Sequence, residues 1–117
     1  EKLDFTYIGD LIDGLIQLGI HPNAYRQVFN LTYGDAQPVL SAIEILREQF
    51  PSVSVRIEKR DQATPRRGTL SNEKATKLIG FNPNYKFTEG YTKYINWFVL
   101  HAQKHDLLSS KRVQLNE

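Results

Sequence analysis

The chain contains no cysteine, so it can form no disulfide and no cysteine-rich zinc site. That absence fits a reducing compartment, and a cytoplasmic location is expected. No apolar run approaches the ~20 residues needed to span a membrane, and no signal-peptide pattern opens the chain. The first residues already read as a strand, so residue 1 is expected to fall inside a longer protein. Charge of one sign is scarce too. Fifteen Lys and Arg oppose thirteen Asp and Glu, a net +2, too little to imply nucleic acid. Of three histidines, His101 and His105 stand four apart and can share a helix face, but with no clear third ligand no metal site is expected. No GxSxG elbow of a serine hydrolase is present. Nor is there a GxGxxG, GxxGxxG or P-loop pattern. Gly9, Gly14 and Gly19 recur every five residues inside a helical pattern, not in a turn whose N–H groups hold a pyrophosphate.

What is present suits one modest domain: 117 residues, 40% hydrophobic and 24% charged. A short strand is expected at 4–7. Ile8, Leu11, Ile12, Leu15 and Ile16 then recur at helical spacing, with Asp10 and Asp13 on the other side. Residues 27–32 read as a buried strand through Val28, Phe29 and Leu31, and Tyr33-Gly34-Asp35 as a turn. A helix begins near Pro38 with Val39, Ile43, Leu46 and Phe50 on its apolar face. Residues 53–58 alternate as a half-buried strand. A polar loop follows at 59–69, long enough to suggest a function. Ser71 is a candidate N-cap and Gly80 a candidate stop for a short helix, and Phe81-Asn82-Pro83 cannot extend it. A last helix opens at Thr88-Glu89-Gly90 and carries Tyr91, Tyr94, Ile95, Phe98 and Ala102 on one face. Trp97 and Val99 widen that face, which reads as core. The order β-α-β-α-β-loop-α-α predicts an α/β or α+β fold, a small three-stranded sheet with packed helices and some parallel pairing. Residues 1–104 form the domain, and 105–117 are expected to be a flexible tail.

One stretch carries the most information, RRGTLSNEKATKLIGFNPNYKFTEG from Arg66 to Gly90. Its order is an arginine loop, a short helix ending in Gly-Phe, a proline turn, then Glu-Gly and an aromatic helix. Together with Asp4-Phe5-Thr6-Tyr7-Ile8-Gly9-Asp10 and Val28-Phe29-Asn30-Leu31, it resembles the C-terminal part of the extended short-chain dehydrogenase/reductases, the NAD-dependent nucleotide-sugar epimerases and dehydratases. The resemblance covers about residues 3 to 100. It implies a capping, substrate-binding domain that packs on a Rossmann domain of the same parent chain. That domain is missing here, as is the family's catalytic Tyr with Lys four residues later. NAD would belong to the intact parent, and this piece alone is expected to be inactive, with no catalytic residue. Loss of the partner domain would leave apolar surface free for self-association.

The resemblance also places candidate substrate contacts. Arg66 or Arg67 occupies the loop whose arginine meets the nucleotide diphosphate, and Gly68-Thr69 stand where the family has Gly-Asp. An arginine suits a diphosphate because its planar fork donates two parallel hydrogen bonds. Leu3 replaces an arginine that the family often has before Asp4. Phe5 is either a wall of the nucleotide pocket or a core aromatic. Asn30 is either at the crevice or a residue that satisfies backbone groups. A separate reading makes the basic cluster from Arg56 to Arg67 the face of a stand-alone module that meets an anionic partner, without the interleaved aromatics of a single-strand platform.

Overall fold

The computed structural model describes every residue except 60, 62, 64, 66 and 105–117, so the expected tail lies outside the described residues. The elements run β1 (Lys2–Asp4), α1 (Ile8–Ile20), a 3-10 turn (Pro22–Ala24), β2 (Ala36–Pro38), α2 (Val39–Gln49), α3 (Glu73–Ile79) and α4 (Phe87–Lys104). The arrangement is α/β, with helices packed around a minimal sheet.

That sheet corrects the expectation of three strands. Among the described residues it has two, β1 and β2, and they pair antiparallel with Leu3 opposite Gln37. The strand expected at 4–7 lies instead at Lys2–Asp4, where β2 supplies a partner. Segments 27–32 and 53–58 form no ladder. Alternation tells where side chains point, but a strand also needs a neighbour to bond its N–H and C=O groups. Phe29 and Leu31 do pack toward the core, while Val28 is 84% exposed.

The core gathers where α3 ends. Gly80 stops the helix as its sequence predicts. Its φ of 71° is left-handed, its N–H bonds the Thr76 carbonyl at 3.1 Å, and the Phe81 N–H returns to Ala75 at 3.3 Å. This reversal drives Phe81 into the centre beside Ala75 and Ile79, with Leu18, Ala24, Phe29 and Leu31 around them. At the other end of α3 the N-cap is Asn72 rather than Ser71. Ser71 still serves the helix start, its Oγ accepting the Glu73 N–H at 3.3 Å.

Helix α1 sits the opposite way round from the simple reading of its pattern. Its apolar stripe of Ile8, Ile12, Leu15 and Ile16 faces out, while Asp10 is buried. Two contacts explain this. Gly14 lets the Phe81 ring lie directly on the helix, since a Cβ there would stand 2.8 Å from the ring. Asp10 accepts the backbone N–H groups of Asn84 at 2.9 Å and Tyr85 at 3.0 Å, which neutral apolar side chains cannot do. Helix α4 starts at Phe87 and packs on α2, burying Ile95 and Ala102. Tyr94 and Trp97, expected in the core, are exposed because the buried line through Ile95 and Ala102 turns them aside, and Phe98, though on that line, is 39% exposed.

Candidate functional site

Residues 4–7 continue extended beyond β1, so alternate side chains leave on opposite sides. Asp4 and Thr6 point to one side. The Asp4 carboxylate accepts the Gly34 N–H through one oxygen at 3.3 Å and the Leu70 N–H through the other at 3.4 Å. Thr6 Oγ1 accepts the Tyr33 N–H at 3.1 Å. Gly34 makes the turn between them possible, with φ at 84°. From the far side, the Asn72 side chain donates to the carbonyls of Thr32 at 2.9 Å and Tyr33 at 3.3 Å. Asn30 donates to the Ser71 carbonyl at 3.1 Å, and the Lys74 ammonium to the Val28 carbonyl at 2.9 Å. The end of the arginine loop is thereby stitched along 28–34, with Asp4 bridging both strips.

The expected site residues divide across this framework. Arg66 lies outside the described residues. Arg67 and Thr69 are exposed on the stretch that leads into Leu70, and Gly68 between them has open space around its Cα. Asn30 joins them, since its partner Ser71 is two residues beyond Thr69. Arg56, in the same basic cluster, pairs with Glu58 at 2.6 Å in open solvent. Phe5 leaves on the other side of 4–7 and sets its ring 4.6 Å from that of Phe87.

On that side, Phe5 and Tyr7 meet an aromatic ladder along α4. Ring centroids lie 5.5 Å apart for Phe87 and Tyr91, 6.3 Å for Tyr91 and Tyr94, 6.1 Å for Tyr94 and Trp97, and 4.9 Å for Trp97 and His101. The rings from Phe87 to Trp97, with Phe5, Tyr7 and Tyr85, wall a groove of about 520 Å³ that also reaches Ile8, Lys86 and Lys93. The groove is thus continuous with the outward stripe of α1. A second hollow, about 380 Å³, is polar and includes Asp10, Asp13, Gln17 and Asn82. Among the described residues no cluster of three His, Cys, Asp or Glu side chains could hold a metal ion, and no helix is long and apolar enough to cross a membrane.

What the anchored loop presents to solvent is a cationic side chain next to a glycine. A guanidinium at Arg67, beside a glycine and ahead of an anchored turn, can present its fork to a phosphate. The anchors themselves, Asp4, Thr6, Asn72 and Lys74, escaped the sequence reading. Asp4 carried one usable signal: a carboxylate that shares a face with Thr6, opposite Phe5 and Tyr7, needs donors on that face.

No family model matches the chain. Over 99 residues it is 28% identical to the uncharacterised protein MJ1055 of Methanocaldococcus jannaschii, covering 82% of this chain and 29% of that protein. Among solved structures it is similar to the epimerase Mth375 of Methanothermobacter thermautotrophicus, with a TM-score of 0.80 and 26% identity over 89% of this chain and 32% of the other. It also shares the fold of part of RMD from Pseudomonas aeruginosa, complexed with NADPH, at a TM-score of 0.63 and 23% identity, over 78% of this chain and 30% of that one. The chain therefore spans about a third of the length of the proteins it matches, and its fold is that of one portion of the epimerase Mth375 and of RMD.

Proposed function

We propose that this chain is the substrate-binding part of an NAD-dependent nucleotide-sugar epimerase or dehydratase. Its task is to hold the nucleotide diphosphate while the nucleotide-binding part of the parent enzyme carries the redox chemistry. The observation behind this reading is the anchored exit of the arginine loop, which presents Arg67 and Thr69 beside Asn30 on a hydrogen-bonded base. Such a base contributes positioning rather than bond chemistry. Likeness to an epimerase chain supports the reaction class, and the NADPH bound in RMD supports a nicotinamide cofactor in the intact parent. The outward stripe of α1 is the surface we assign to the nucleotide-binding part, since its four large aliphatic side chains and Ile20 beyond them stand exposed.

Titration of uridine diphosphate into the ¹⁵N-labelled chain tests this. Amide shifts confined to 30–34 and 67–72 are expected, with no response to NAD at the same concentration. Saturating shifts elsewhere, or none at millimolar ligand, would overturn the substrate-binding role.

A further inference from the structure

We propose that Asp4 is the positioning residue of the arginine loop, acting on a bound anion through Arg67; the inference rests on the substrate-binding reading above. The geometry sets it apart from the other anchors. Asn30, Asn72 and Lys74 each tie the 71–74 stretch to 28–33, downstream of the loop. Asp4 is the side chain that grips Leu70, nearest of these anchored positions to Arg67. Its second oxygen is committed to Gly34, at the apex of the facing turn. One carboxylate, 66 residues from Leu70 and 30 from Gly34 in sequence, thus fixes the spacing between the loop exit and the turn.

A carboxylate is the side chain this task requires. Both partners are N–H donors, and an ionised Asp offers acceptors on both oxygens. The isosteric amide offers one acceptor and one donor, so Asp4→Asn must turn an N–H toward a backbone N–H. The expected result is release of either Leu70 or Gly34 with little change in volume. Asp4 also stands three residues from Tyr7, which packs against the Tyr85 ring and over Gly90 of α4, and is itself held by pairing of β1 with β2. The carboxylate therefore rests on rigid structure at one end and controls a polar loop at the other.

The test is a double-mutant cycle with inorganic pyrophosphate as the probe, on this chain, combined with amide hydrogen exchange. In the wild-type background, Asp4→Asn should weaken pyrophosphate binding about tenfold, the size of one lost charge-assisted contact. In an Arg67→Ala background, it should cost nothing further. A general loss of structure would instead add to the Arg67→Ala effect. Exchange at Leu70 and Gly34 should quicken in Asp4→Asn, while amides of α3 and α4 keep their protection. Additive losses in the cycle, or unchanged exchange at both amides, overturn the proposal. The two ideas fail separately. If wild type binds no pyrophosphate yet Asp4→Asn frees Leu70, the substrate-binding reading falls, and with it any action on an anion. If binding and its Arg67 dependence stand but Asp4→Asn is silent, the positioning role alone is wrong.

Discussion

The Asp10 carboxylate on α1 accepts the backbone N–H of Asn84 at 2.9 Å, joining positions 74 residues apart in sequence while only 2% exposed. Its other oxygen takes the Tyr85 N–H at 3.0 Å. One side chain therefore fixes the proline turn after α3 to the first turn of α1, and so sets where α4 begins. Removing it leaves both N–H groups without their carboxylate acceptor, at the edge of the polar hollow that Asp10 lines. Asp10→Ala should destabilise the chain by about 2–3 kcal/mol, and Asp10→Asn should recover part of that through its one remaining acceptor. Urea unfolding measures both. A loss below about 0.5 kcal/mol would mean that solvent satisfies the turn.

Two glycines of α1 give opposite expectations. A methyl at Gly14 would meet the Phe81 ring at 2.8 Å, so Gly14→Ala should cost about 1–3 kcal/mol by overpacking. A methyl at Gly19 meets nothing within 4 Å, and Gly19→Ala should stabilise by about 0.5–1 kcal/mol through helix propensity alone. Thermal unfolding of the pair tests the packing of α1 on Phe81. Equal effects would argue against that contact.

These contacts mark how far the sequence could be read. Helices were legible, because their signals are local: the apolar periods of α1 and α2, and Gly80 as a stop. Strands were not, since pairing depends on residues far away or in the rest of a longer protein. Residues 27–32 have the apolar content of a buried strand and 53–58 the alternation, and among the described residues neither has a partner. The orientation of α1 was illegible for the same reason. Its apolar stripe indicates a buried face, and only the burial of Asp10 and Gly14 shows that the chain's own core took the other one. At the site, the resemblance located the arginine loop and the structure supplied its anchors. Phe5 separated from that group because strand alternation sends it opposite to Asp4.

The outward stripe of α1 predicts association without a cost to folding. Ile12→Lys with Ile16→Lys should change unfolding free energy by no more than about 0.5 kcal/mol per site, as for ordinary surface positions. The wild-type chain should sediment as a concentration-dependent associate, and the double variant as a monomer. A wild-type monomer at high concentration would show that this face needs no cover.

Arg67 and Arg56 separate a diphosphate site from a general basic patch. Both are exposed, and they lie in the same charged stretch. Arg56 already pairs with Glu58. Arg67 leads directly into Leu70, which Asp4 grips. A bidentate contact to phosphate contributes about 1.5–3 kcal/mol, so Arg67→Ala should weaken uridine diphosphate binding roughly tenfold to a hundredfold. Arg67→Lys should recover only part of it, because lysine keeps the charge and loses the fork. Arg56→Ala should change affinity by less than about twofold, since Glu58 already neutralises that guanidinium and an exposed charge contributes little. A basic patch that merely attracts anions predicts something else: equal losses for both alanine variants, full rescue by lysine, and binding that disappears with added salt. Calorimetric titration of the three variants at two salt concentrations distinguishes the patterns. Equal losses at positions 56 and 67 would replace the diphosphate site with an anionic partner spread over the whole loop.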